Sequence, residues 1–359
     1  MNGRARKENI ARNTMRDVYV LTDPGDDIDD HWALSLLLSM PSLRLRLVLC
    51  DSYNSLDRAD VLAKFFKEAN VSGVPVGIGS NRTGGKPLIM HGFASRGAVS
   101  SYDGPVHQDG VGALIQMAMA PSPPAEPRPA LVVIAPCPSL REALRREPRI
   151  GSRFDVYAMG GSIYHGVNTS TPPEREWNIL ADPLSAQALY GAPWSINDAP
   201  LDTAGSAQVD MPAFGRLLHS PSRLPLVAAL LAAYRYWLPR CPWPEATQQP
   251  LPANVSMRSS VIFDAVAVSM LPSFAAAQQH RGPFLDTETL RLRVTSDGWT
   301  RPVLDRRATP TEDAAVSTGT PTGSADHGRP VCCALKWRRK DEWQDAVVEL
   351  LTSQKSVPG

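Results

Sequence analysis

The sequence predicts an α/β protein: an open, mostly parallel, doubly wound (Rossmann-like) sheet with helices on both faces, in a single domain. Three observations lead there. Strand-like apolar runs alternate with amphipathic helical runs through the first half of the chain. A helix between successive strands demands a right-handed crossover, which makes the strands parallel and covers both faces. Each strand also exits into turn or polar residues, and in this architecture those exits share one rim, where ligands bind.

The elements follow in order. Val18-Tyr19-Val20-Leu21 is an apolar strand, and His31 to Leu38 a helix. Between them lies Asp23-Pro24-Gly25-Asp26-Asp27-Ile28-Asp29-Asp30, five carboxylates in eight residues. Residues 43–50 read as a strand, and 55–69 as a helix with apolar positions Leu56, Ala59, Leu62, Ala63 and Phe66. Residues 74–78 form a short strand, 110–120 a helix, 131–135 a wholly apolar strand, 139–146 a helix and 154–159 a further strand. The exits are Asp51-Ser52-Tyr53-Asn54, Gly79-Ser80-Asn81, Pro136-Cys137-Pro138 and Gly160-Gly161-Ser162. Near the end, 290–294 and 331–335 are strands and 341–351 a closing helix. Residues 1–16 read as a flexible extension to a domain covering 17–359. The proline-rich 121–129 reads as a surface connection, and 308–328, rich in Thr, Ser, Pro and Gly, as a mobile loop.

Composition narrows the function. A formal net charge of +1 gives no global attraction to nucleic acid or anionic membranes. No apolar run reaches the length of a bilayer span. The basic, polar first residues lack the apolar core of a signal peptide. The five cysteines (Cys50, Cys137, Cys241, Cys332, Cys333) are odd in number and none has CxxC spacing, which predicts free thiols in the cytoplasm and no zinc site.

The chemistry concentrates at the acidic turn. Asp29 and Asp30 suit the first turn of the following helix, whose N-terminus favours acidic groups. That accounts for two carboxylates, not five. So many like charges repel unless a cation sits among them, and a hard divalent ion with oxygen ligands fits best. Asp264 stands in the otherwise apolar Val261-Ile262-Phe263-Asp264-Ala265-Val266-Ala267-Val268. It needs a partner, a cation or a capping role ahead of a helix over 265–270. Glu176 and Asn178, two apart, present to one side if extended and can grip vicinal hydroxyls, with Asn168 upstream. His107 and Asp109 precede a helix, where capping competes with substrate contact. Tyr234, Tyr236, Trp237 and Trp243 form an aromatic cluster suited to core packing, or to stacking on a base.

In this order the residues resemble the inosine-uridine preferring nucleoside hydrolase family, in a branch with a longer turn ending Ile-Asp-Asp. The similarity runs through Asp109-Gly110, Ile134-Ala135-Pro136, Met159-Gly160-Gly161-Ser162, Glu176-Trp177-Asn178 and Asp264-Ala265-Val266-Ala267-Val268, covering most of 18–270. The resemblance implies hydrolysis of the N-glycosidic bond of a ribonucleoside or related N-riboside, with Ca2+ as cofactor. Asp23, Asp30 and Asp264 would hold the ion through carboxylates, and Pro138 through its backbone carbonyl. Asp29 would be the general base toward the attacking water. Asn168, Glu176 and Asn178 would hold the sugar, with Asp51 or Asn54 in the remaining hydroxyl-binding slot and His107 a further candidate contact. A homodimer or homotetramer is expected on the same ground.

Three positions depart from the pattern. Phe263 precedes the late Asp where purine- and pyrimidine-cleaving members often carry His, and it cannot donate a proton. Leu21 stands where the shorter motif has Asp, and Asp51 where Asn is common. These leave a second reading, a catalytically silent ligand-binding module. An aspartate-based phosphotransferase ranks lower, because Asp23-Pro24-Gly25 lacks a second Asp two residues after the first.

Overall fold

A computed structural model describes residues 15–80, 85–121, 127–220, 224–243, 258–278, 281–303 and 329–353. The expected mobile loop at 308–328 and nearly all of the expected N-terminal extension lie outside these residues. Arg16, the last residue of that extension, already belongs to the first strand. Its side chain bonds Arg128 O, the Tyr157 hydroxyl and Asp155.

The strands are β1 (Arg16–Thr22), β2 (Leu43–Cys50), β3 (Val76–Ile78), β4 (Val106–His107), β5 (Ala130–Ile134), β6 (Asp155–Ala158), β7 (Ser195–Asp198), β8 (Leu285–Val294), β9 (Thr300–Pro302) and β10 (Arg329–Trp337). The helices of the first half are α1 (Asp29–Leu38), α2 (Ser55–Glu68), α3 (Gly110–Met119), α4 (Pro138–Arg146), α5 (Trp177–Ala181) and α6 (Pro183–Gly191). Those of the second are α7 (Leu201–Ala204), α8 (Ala213–Leu218), α9 (Pro225–Trp237), α10 (Phe263–Ser269), α11 (Pro272–Ala277) and α12 (Lys340–Thr352).

Among the described residues, the ten strands form one sheet in the order β4-β3-β2-β1-β5-β6-β7-β10-β8-β9. From β4 to β10 every pairing is parallel, while β8 and β9 add an antiparallel edge. The chain builds outward from β1 on one side and returns at β5 to build on the other. That reversal makes the β1/β5 exits the topological switch point, where open α/β sheets bind ligands.

Alternation along β1 explains the layering. Val18 and Val20 face a core that includes residues of α1, α2, α9, α10 and α12, while Tyr19 and Leu21 face one that includes α3, α4 and α6. Because both faces are covered, the strand reads as uninterrupted apolar sequence. The helix over 55–68 departs from its expected pattern. Leu56 is exposed, and Arg58 occupies a buried position instead. No helix among the described residues is long and apolar enough to cross a membrane.

Glycine lets the rim close up. A Cβ on Gly79 would lie 2.6 Å from both Cys50 O and Ser139 Oγ. Only a residue without one allows the exits of β2 and β3 and the start of α4 to approach so closely.

Candidate active site

The acidic turn opens where β1 ends. The Thr22 hydroxyl donates to Asp30 Oδ1, which also accepts from Asp23 N at 3.0 Å. Ile28 N donates to Asp27 Oδ1 at 2.6 Å, and Asp30 N to Asp29 Oδ1 at 3.2 Å. Asp29 and Asp30 fill the first turn of α1. Asp264 does not cap its helix. The helix begins at Phe263, which puts Asp264 in the first turn of α10. Two helix N-termini therefore converge with their partial positive charge on the same group of carboxylates.

Carboxylate oxygens of Asp29, Asp30 and Asp264 lie within 4.8 Å of one another, and all three residues are buried. Burial first, and mutual repulsion second, push Asp29 and Asp264 well above the usual carboxylate range. Burial likewise raises Asp23, against the opposing pull of Arg58. It carries Asp30 to about 6, although the Thr22 hydroxyl lowers it, and Asp27 to about 7. Oxygen-only donors at this spacing, short of positive charge, suit a hard divalent cation and not a soft one.

Of the residues expected to hold an ion, Asp30 and Asp264 are thus brought together, with Asp29, the expected base, as the third member. Asp23 lies alongside, its carboxylate 3.8 Å from Arg58 Nη2. Pro138 opens α4 at the exit of β5, the strand paired to β1.

The candidate sugar-holding residues lie beyond β6, two strands from β1. That is roughly 10 Å at the usual strand spacing, room for a pentose gripped at both ends. Glu176, extended at φ −70° and ψ 144°, is the N-cap of α5, and Asn178 lies in the first turn of that helix. Glu176 Oε1 accepts from Asn178 N at 2.7 Å, and its Oε2 from Gly161 N at 3.0 Å and Ile179 N at 3.1 Å. Burial raises Glu176 to about 7 against those bonds. Asn178 donates its side-chain amide to Met159 O at 3.1 Å. Asn168 is exposed, with a positive φ of 53°, and its backbone N–H reaches Gly205 O.

Asp51, at the exit of β2, is buried and accepts from Ser139 N and Oγ at 3.0 and 2.7 Å. Burial carries it to about 7. Asn54 donates to Lys86 O at 2.8 Å. His107 ends β4, at the far edge of the rim, three strands from β1. Asp109 caps α3 by accepting from Gly112 N. Tyr234 and Trp237 are buried core residues, while Tyr236 packs on Phe93 with ring centroids 5.3 Å apart.

Sequence pattern did not single out Arg58 or Thr22, nor the tie from the Trp237 indole N–H to Asp26 O at 2.9 Å. Arg58 sits in a polar run, Ser-Leu-Asp-Arg, that reads as a solvated helix face. Only its one-turn offset from Leu62 could have signalled burial.

The raised carboxylates fix how stability responds to pH. Each binds its proton more tightly folded than unfolded. Its contribution is therefore complete below the unfolded pKa near 4 and is lost as pH rises through 6 to 7. Thermal unfolding in chelator should show Tm falling steadily from pH 5 to pH 8. A metal-free Tm that rises over this range would contradict the geometry of the cluster.

The family model for inosine-uridine preferring nucleoside hydrolases matches residues 18–332. A protein of that name from Leishmania major is 30% identical over 209 residues, covering 54% of this chain and 62% of its own length. The one from Crithidia fasciculata is 27% identical over 215 residues, covering 54% and 63%. The match thus spans less than two thirds of either relative. A plant nucleoside hydrolase structure superposes with a TM-score of 0.65 at 18% identity, covering 95% of this chain and all of that one, a likeness of fold.

Proposed function

The chain belongs to the inosine-uridine preferring nucleoside hydrolase family, and from that premise we propose that it hydrolyses the N-glycosidic bond of a ribonucleoside or related N-riboside with Ca2+ as cofactor. The observation that carries the reading is the trio Asp29, Asp30 and Asp264, three buried carboxylates within 4.8 Å at the switch point of the sheet.

Asp30 and Asp264 would hold the ion, with Asp23 and the Pro138 carbonyl completing an oxygen shell. A bound calcium would supply Lewis acidity toward water and hydroxyl oxygens. The remaining work falls to the chain itself. Asp29 would accept the proton of the attacking water, its carboxylate lying within 4.8 Å of those of Asp30 and Asp264. Asp30 is held in one orientation by Thr22 and Asp23 N, so its free energy of ordering is spent on folding. Glu176 keeps lone-pair capacity beyond its backbone bonds and Asn178 keeps an amide oxygen, which together would grip sugar hydroxyls. Asn168, Asp51 or Asn54, and His107 are the further candidate contacts along the rim. Assembly as a homodimer or homotetramer belongs to the same reading.

Phe263 favours a second reading. It abuts Asp264 and offers no proton to a departing base, which suits a module that binds nucleosides without turnover. Assaying ribose release from purine and pyrimidine ribonucleosides, with and without chelator, separates the two. Release that chelation abolishes is the expected result. Calcium and nucleoside binding with no release from any substrate would favour the silent module.

A further inference from the structure

Resting on the calcium reading above, we infer that Arg58 is a positioning residue for the cation-holding carboxylates, a built-in counter-ion that fixes the backbone of the acidic turn before any metal arrives. Its guanidinium lies in the middle of the turn, almost wholly buried. Nη1 donates to Asp23 O and, at 3.3 Å, to Pro24 O. Nη2 bonds Asp26 Oδ2 at 2.7 Å, and Nε reaches Tyr53 O at 2.7 Å. One side chain from α2 thus bonds three turn residues, the carbonyls of Asp23 and Pro24 and the carboxylate of Asp26.

Asp26 completes the clamp. Its other carboxylate oxygen accepts from Ile89 N at 3.3 Å, and its carbonyl from Trp237 Nε1. Gly25 O accepts from Met90 N at 2.8 Å. Asp26 therefore serves Arg58 and the 88–90 loop, and the carboxylates of Asp29 and Asp30 are left to face Asp264. A planar fork with several fixed donors can satisfy this arrangement, whereas a point charge on a flexible stem cannot.

Charge and positioning predict opposite signs, which makes the inference testable. A guanidinium 3.8 Å from Asp23 Oδ2 repels an incoming cation, so by Coulomb's law alone its removal tightens calcium binding. If Arg58 positions the turn, its removal weakens binding, by 10- to 100-fold on the scale typical of groups that orient metal ligands. The experiment is calcium calorimetry on wild type, Arg58→Met, Arg58→Lys and Asp26→Asn, paired with amide hydrogen exchange across residues 23–30 in chelator.

Arg58→Met is expected to lose affinity and to exchange its turn amides about ten-fold faster or more. Arg58→Lys, which keeps the charge but not the fork, should recover only part of both. Asp26→Asn keeps the bonds to the Asp23 and Pro24 carbonyls but loses the ion pair, and should fall between wild type and Arg58→Met in both readouts. If Arg58→Met does not fold, the Lys variant carries the same comparison. Unchanged exchange in the turn, or calcium binding equal to or tighter than wild type, overturns the inference. Failure of wild type to bind calcium would sink the calcium reading instead, with the exchange measurement still deciding for or against Arg58.

Discussion

Replacing Asp29 with Asn is expected to cut nucleoside turnover by about 10³-fold, within the range a positioned general base contributes, while calcium still binds. The amide matches the carboxylate in shape and keeps an oxygen facing Asp30 and Asp264, so the surroundings are little disturbed. What disappears is the capacity to take up a proton. In the metal-free protein, burial and the neighbouring Asp27, Asp30 and Asp23 hold Asp29 well above the ordinary carboxylate range, and a cation beside it would draw that value back down. The decisive comparison is kcat against calcium affinity in one preparation. Turnover within a few-fold of wild type would remove Asp29 from the role given to it.

Asp264→Asn should have two effects of opposite sign. Asp264 is buried among apolar residues, and the acidic groups acting on it, Asp29, Asp30, Asp23 and Asp27, all disfavour its charge. Removing that charge should stabilise the metal-free protein at pH 8, since an unpaired buried charge is among the costliest features a fold can carry. The same change should weaken calcium binding by on the order of 100-fold, because a formal charge leaves a shell that would be assembled from only a few. Unfolding in chelator together with a calcium titration reads both. Unaltered affinity would exclude Asp264 as a ligand, and an unaltered metal-free Tm would mean that the repulsion is relieved elsewhere.

The parallel sheet was legible because its central strands are buried on both faces. Residues 131–135 read as a wholly apolar run and the observed strand is Ala130–Ile134, buried throughout, while 43–50 read as a strand and folds as one whose last four residues are buried. Ser195 to Asp198 gave no such signal. It is a polar four-residue strand whose identity comes from pairing with β6 and β10. The antiparallel pairing of β8 with β10 was equally invisible, since strand direction depends on the connection and not on composition. At the site, the acidic turn and Asp264 stood out as charge where apolar sequence was expected. Arg58 did not, because its burial is created by carboxylates and carbonyls that only the fold brings to it. Leu56 was misplaced by the same logic: apolar spacing fits several rotations of a helix, and the buried guanidinium selected one that leaves Leu56 outside.

The convergence of α1 and α10 also bears on how the chain holds itself closed. Asp29 and Asp30 lie near its beginning and Asp264 some three quarters of the way along. An ion gripped by both would tie off a loop that contains six of the ten strands among the described residues. The entropy of closing a loop grows with its length, so a link between such distant points restricts the unfolded chain far more than one between neighbours. Calcium at this site would then act as a removable crosslink as well as a participant in chemistry.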